Sequence, residues 1–73
     1  MKRDKNLLKL GTHIRSLRTS ASLSQEQLAL LAGIDRSYMG GIERGERNIS
    51  FLTLARIATA LGCDIATITK GIP

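Results

Sequence analysis

The chain has 73 residues, which suits one globular domain at 1–73. Hydrophobic residues make up 42% of it, which excludes a disordered chain, and its apolar runs are too short for a membrane-spanning helix. The 11 lysine and arginine residues outnumber 6 acidic residues, and this surplus favours a polyanionic partner such as nucleic acid. A single cysteine cannot form an internal disulfide, and no long apolar stretch follows the basic N-terminus, so we expect a cytoplasmic protein.

The first half of the chain predicts two helices. Apolar residues recur at helical spacing over about 5–18, and the hydroxyl-bearing residues that follow at 19–22 predict a turn. A second helix, at about 24–32, starts with a capping box, in which Ser24 and Gln27 each bond the other's backbone amide. Its predicted buried face consists of Leu28, Leu31 and Ala32.

The second half predicts three further helices, at about 35–44, 50–61 and 64–69. Met39 and Ile42 are the expected inward positions of the third helix. In the fourth, apolar residues recur at spacings of three and four, beginning at Phe51. The pattern therefore predicts an all-α protein of five short helices.

The connection between the second and third helices is the informative feature. Only Gly33 and Ile34 separate them, and so short a link forces a steep crossing, as in a helix-turn-helix. The outward face of the third helix is poor in apolar residues, and such a helix fits a major groove about 12 Å wide. The residues on this face are Arg36, Ser37, Gly40, Gly41 and Arg44.

The segments 23–29, 32–39, 42–45 and 54–62 are similar to the Xre, or lambda-repressor-like, helix-turn-helix family. Within that family, 35–44 followed by Arg47 and Asn48 most resembles controller proteins of restriction–modification systems. The resemblance implies a compact five-helix domain and a sequence-specific transcriptional regulator. Such a regulator binds double-stranded DNA at a pseudo-palindromic operator as a homodimer, and RNA polymerase is a further implied partner.

The resemblance also assigns roles to residues. It implies base readout by Arg36, Ser37, Tyr38 and Gly41, and phosphate contacts from Ser24, Gln25, Arg44, Arg47 and Asn48. An arginine can bond guanine in bidentate fashion, and a helix N-terminus such as that at Ser24 and Gln25 attracts an anion. Tyr38 has two open interpretations, a DNA contact or partial core packing. Gly40 and Gly41 depart from the family pattern, and we interpret them as allowing close backbone approach to DNA or local adaptability.

Two further features are expected to be structural. The resemblance pairs Arg18 with Glu43 as an ion pair between the first and third helices. The C-terminal end carries more apolar surface than one small core needs, and this surplus predicts a dimer interface. Its members are Leu52, Ile65, Ile68 and Ile72.

The alternative function is an antitoxin-like or adaptor module that binds protein through the same helices. An enzyme is disfavoured, because the chain has one histidine, one cysteine and no carboxylate cluster or glycine-rich phosphate loop. His13 has no evident partner ligand, and Cys63 suits a small buried apolar position. We therefore predict no catalytic residues, no metal, no cofactor, no small-molecule ligand and no membrane partner.

Overall fold

The computed structural model describes residues 4–73, and over that range it contains five α-helices and no strands. The helices are α1 (Lys5–Ser20), α2 (Gln25–Ala32), α3 (Arg36–Glu43), α4 (Phe51–Leu61) and α5 (Ile65–Thr69). Helix α1 packs on α3 and α5, α2 packs on α3 and α4, and α4 packs on α5. The predicted all-helical fold is confirmed. Within the same range, no stretch combines the length and hydrophobicity needed to cross a bilayer.

Most helix boundaries follow from local capping chemistry. The predicted capping box is present, with Ser24 Oγ accepting from the Gln27 amide at 3.0 Å and Gln27 Oε1 accepting from the Ser24 amide at 2.8 Å. Ser50 caps α4 without the reciprocal bond, its Oγ accepting from the Thr53 amide at 3.1 Å. Helix α2 ends at Gly33, whose φ of +70° lies in the left-handed region that glycine adopts without steric cost. These contacts lie within a few residues of each other, which is why the sequence pattern predicts them.

Helix α1 continues to Ser20, two residues beyond its predicted end at 18. Thr19 Oγ1 donates to the Ser16 carbonyl at 3.0 Å, so this hydroxyl bonds within the helix instead of breaking it. The chain reverses only at Ser22, whose φ is +60°. The predicted turn therefore starts later than the hydroxyl-rich composition suggests.

The core receives fully buried side chains from every helix. They are Ile14, Leu28, Met39, Ile42, Ile57 and Ile68. Two predicted core residues are exposed instead, Leu31 at 61% and Phe51 at 68%. Helix α2 turns Leu28 and the small Ala29 toward its neighbours, and position 31 falls outside that arc. Phe51 is the first residue of α4, whereas the buried residues of that helix, Ile57 and Ala58, lie in its second half.

Helices α1 and α3 touch at a glycine that periodicity alone does not mark. A Cβ atom added at Gly11 would lie 2.5 Å from the backbone carbonyl oxygens of Ile42 and of Glu43. A side chain at this position would therefore push the two helices apart. Gly11 lets α1 hold the end of α3 at backbone contact distance.

Candidate nucleic-acid interface

The first turn of α3 presents its polar side chains to solvent. Arg36 and Ser37 are both exposed. Ser37 Oγ donates to a carboxylate oxygen of Asp35, the residue that precedes the helix. Asp35 does not cap the α3 backbone with its side chain, so its carboxylate positions the serine hydroxyl instead. This turn can present a guanidinium donor and a hydroxyl oxygen that can still accept a hydrogen bond, and both group types read base edges in a major groove.

Tyr38 shows the partial core packing that was one of its two open interpretations. Its side chain is half-buried and packs against the hydrophobic core. The Arg47 guanidinium lies over its ring, 5.7 Å from the ring centroid, which is cation–π distance. Tyr38 therefore fixes a cation from the loop after α3 beside the helix.

The two glycines of α3 are buried rather than open on the outward face. A Cβ at Gly40 would lie 3.0 Å from Nη1 of Arg44, and one at Gly41 would lie 3.1 Å from Cγ of Arg47. The predicted contact of Gly41 with a base edge does not fit this arrangement, because the Arg47 side chain covers the glycine. Both glycines instead provide room for arginine side chains to lie against the helix.

The three residues predicted to contact phosphate after α3 are exposed: Arg44, Arg47 and Asn48. Arg44 is bound by a residue that the sequence analysis did not single out. Its Nε donates to Oε2 of Glu46 and its Nη2 to Oε1, each at 3.1 Å. The hydrogen bonds and the charge of Glu46 raise the pKa of the Arg44 guanidinium above its ordinary value. The pair lies in the turn after α3, where helical spacing rules do not apply.

A buried polar cluster holds α3 from behind. Arg18 Nε donates to Oε2 of Glu43 at 2.7 Å, and Arg18 Nη2 donates to Oε1 at 3.1 Å. Arg18 Nη1 also donates to the Leu23 carbonyl at 2.7 Å. Gln25 joins the same cluster, because its Nε2 donates to Glu43 Oε1 at 3.0 Å. The side chain of Gln25 is thus already engaged where the resemblance implied a phosphate contact.

A polar cleft of about 390 Å³ opens at the N-terminus of α2. Its lining residues are Arg18, Ser24, Gln25, Glu26 and Arg36. The capping box uses the amides of Ser24 and Gln27, and the amides of Gln25 and Glu26 lie between them in the first turn of the helix. First-turn amides have no intrahelical acceptor and carry the positive end of the helix dipole. The cleft therefore combines the start of α2 with the Arg36 side chain, while Arg18 is engaged by Glu43 and Leu23 and Glu26 adds a negative charge to the lining.

The predicted dimer interface is only partly available. Leu52 is 68% exposed, whereas Ile68 is fully buried in the core and cannot contact a second molecule. Ile65 and Ile72 are half-buried and pack against the core. Leu52 instead lines a cleft of about 320 Å³ between α2 and α4 together with Leu31, which is also exposed.

The surroundings of His13 and Cys63 indicate structural roles for both side chains. His13 Nδ1 lies 2.7 Å from the Ile68 carbonyl oxygen and so links α1 to α5, a partner that the sequence did not reveal. Cys63 is half-buried. Burial, together with the charge of Asp64, raises the pKa of its thiol, which disfavours the reactive thiolate.

Comparisons with known proteins agree with this geometry. The helix-turn-helix family HTH_3 matches residues 14–68. The control protein C.SmaI of Serratia marcescens is 45% identical over 56 residues, which are 77% of this chain and 67% of that protein. The control protein C.BamHI of Bacillus amyloliquefaciens is 43% identical over 56 residues, covering 75% of this chain and 69% of its own length.

A solved structure extends the similarity to three dimensions. The restriction–modification controller protein C.AhdI from Aeromonas hydrophila superposes with a TM-score of 0.88 at 48% identity, covering 89% of this chain and 98% of that one. The chain belongs to the HTH_3 helix-turn-helix family of DNA-binding transcriptional regulators.

Proposed function

We propose that this chain is a helix-turn-helix regulator that binds a pseudo-palindromic operator as a homodimer and serves as a restriction–modification controller. One observation carries the proposal: α3 is exposed at Arg36 and Ser37, while its opposite side is buried through Met39 and Ile42. A recognition helix needs this combination, because a rigid inner face sets the angle at which the outer face enters a groove. The similarity to the control proteins supports the same assignment.

Base readout falls to the first turn of α3. Arg36 bonds guanine O6 and N7, and Ser37 bonds a neighbouring base edge or phosphate. Tyr38 contributes its outer edge, with Arg47 held over the ring at 5.7 Å from the ring centroid. Gly41 has no direct part, because Arg47 covers it. This leaves few base-reading side chains, so sequence-dependent DNA shape contributes to operator choice.

Phosphate contacts flank this turn on two sides. The cleft at the N-terminus of α2 receives one phosphate, with the amides of Gln25 and Glu26 as donors and Ser24 at its edge. The side chain of Gln25 supports the site through Glu43 rather than as its main ligand. Arg44, Arg47 and Asn48 contact the backbone after α3, and each arginine that neutralises a phosphate adds to the salt dependence of binding.

The size of the molecule supports a dimer. The longest extent of residues 4–73 is 29 Å, whereas successive major grooves on one face of DNA lie about 34 Å apart. One chain therefore reads one half-site. The self-association patch is centred on Leu52, with the adjacent exposed Phe51 and Leu31 in place of the buried Ile68. We also assign the half-buried Ile65 and Ile72 to the interface.

We place this regulator in the cytoplasm. A dimer bound beside a promoter contacts RNA polymerase, or blocks it where the operator overlaps the promoter. Catalysis and small-molecule binding have no part in this function.

Selection of bound duplexes from random DNA tests the function directly. Wild-type protein is expected to enrich a two-fold symmetric site whose half-site centres are about one helical turn apart. Binding to the selected duplex should weaken steeply as salt rises, and competition with scrambled duplex should leave the specific complex intact. Enrichment of no common sequence, together with capture of a protein partner through α3, would instead identify an adaptor module.

A further inference from the structure

The Arg44 guanidinium is held in place on both of its edges. Glu46 accepts two hydrogen bonds from the Nε and Nη2 edge, each at 3.1 Å. The other terminal nitrogen, Nη1, lies 3.0 Å from where a Cβ at Gly40 would be, so it rests against α3. The edge of Arg44 that faces away from α3 is therefore the one that the carboxylate occupies.

Glu46 is attached to the recognition helix through its backbone. Its amide donates to the Gly41 carbonyl at 2.9 Å, which fixes the residue directly after α3. The ion pair is solvent-exposed, with side-chain exposures of 58% for Arg44 and 34% for Glu46. The carboxylate thus lies on the accessible surface and beside a cation that the proposed function assigns to DNA.

A carboxylate and a phosphate bind an arginine side chain through the same donor groups. Both accept the paired N–H groups of one guanidinium edge in a bidentate arrangement. Arg44 cannot offer its Nε and Nη2 edge to both at once. The neighbouring acid Glu43 is not in the same position, because it is buried and bonded to Arg18 and Gln25.

We propose that Glu46 competes with a DNA phosphate for Arg44 and thereby sets the affinity of the regulator and its salt dependence. The inference rests on the proposed DNA-binding function. Phosphate binding at Arg44 displaces the Glu46 carboxylate from the Nε and Nη2 edge. Because Arg44 and Glu46 together carry no net charge, their contact with DNA releases fewer counterions than a lone arginine would.

The test compares Glu46→Gln with wild type on one duplex selected by the wild-type protein. Glu46→Gln keeps the shape of the side chain and removes its charge. We expect binding about two- to fivefold tighter at low salt, the factor set by loss of an exposed ion pair. We also expect the slope of log affinity against log salt to become steeper by about 0.9, the contribution of one more neutralised phosphate.

Asp64→Asn is the matched control, because it makes the same charge change at the N-cap of α5, and asparagine can keep the hydrogen bond to the Thr67 amide. It should leave both the affinity and the slope near wild type. Arg44→Ala supplies the second control. It weakens binding, and in its background Glu46→Gln should no longer tighten binding, because the cation for which the two anions compete is gone.

Three results would overturn the inference while leaving the regulator assignment intact. They are unchanged or weaker binding by Glu46→Gln, an equal gain from Asp64→Asn, and a gain from Glu46→Gln that persists in the Arg44→Ala background. Failure of the wild-type protein to bind any selected duplex would reject the proposed function itself, and the inference with it. The two failures are therefore distinguished by the wild-type titration alone.

Discussion

Arg18 Nε donates to Glu43 Oε2 at 2.7 Å and so ties the last turns of α1 and of α3 together inside the molecule. The two side chains are 11% and 2% exposed, respectively. Gln25 adds a bond from the start of α2 to the same carboxylate. Three helices thus meet at one buried charge, and the orientation of α3 depends on it.

Replacing only one member of the Arg18–Glu43 ion pair should strongly destabilise the protein. Glu43→Gln or Arg18→Met leaves the other charge desolvated, and we expect the free energy of unfolding to fall by about 3–5 kcal/mol. The double replacement Arg18→Met with Glu43→Leu should recover much of that loss, because no buried charge remains. Urea unfolding followed by circular dichroism measures all three variants. Arg15→Ala, on the exposed side of α1, should change stability by less than about 0.5 kcal/mol, and an equal loss there would contradict the assignment.

Two glycine-to-alanine substitutions should have opposite effects on the stability of the fold. At Gly11 the new Cβ would meet backbone carbonyls at 2.5 Å, so we expect a loss of about 1–3 kcal/mol in stability. At Gly40 the nearest atom is the flexible end of Arg44, and the higher helix propensity of alanine should raise stability by about 0.5–1 kcal/mol. Thermal unfolding compares the two variants. A Gly11→Ala protein as stable as wild type would show that α1 and α3 do not approach so closely.

Arg36→Ala should reduce sequence discrimination while the protein stays folded. Loss of one bidentate guanine contact lowers the preference for operator over scrambled duplex by about 1–3 kcal/mol. Competition gel shifts measure that ratio, and Lys70→Ala, an exposed cation after α5, controls for the lost charge. Unchanged discrimination by Arg36→Ala would exclude this residue from base readout.

Arg47→Ala should act on all DNA sequences alike. Removing one phosphate contact is expected to weaken operator and scrambled duplex by similar factors and to make the salt slope shallower by about 0.9. Fluorescence anisotropy at several salt concentrations gives both quantities. A loss confined to the operator would instead assign Arg47 to base reading beside Tyr38, whose ring it covers.

Substitutions at Leu52 and at Ile68 should distinguish residues needed for self-association from residues needed for folding. Leu52→Glu places a charge in the proposed self-association patch, and we expect a folded monomer by sedimentation at micromolar concentration, with weaker operator binding. Ile68→Ala removes a fully buried side chain and should cost about 2–5 kcal/mol in stability. If Leu52→Glu remains a dimer like the wild type, the interface lies elsewhere. A strictly monomeric wild type would remove the dimer from the proposal.

The sequence by itself determined the helices, their caps and the helix-turn-helix. Ser24 and Gln27, for example, bond each other across three residues, and Gly33 ends α2 through its own backbone conformation. Such interactions are complete within one or two turns of chain. The exposed turn of α3 at Arg36 was predictable for the same reason, because the period of one helix separates its outer from its inner face.

The tertiary structure alone decided which apolar residues are covered and what each arginine contacts. Leu31 and Phe51 follow the helical stripe yet remain exposed, while Ile68, predicted to lie at an interface, is in the core. Gly11 and Glu46 gave no periodic signal, because one responds to a neighbouring helix and the other lies in a turn. Burial and side-chain pairing depend on how separate helices meet, and that information is not contained in the period of any single helix.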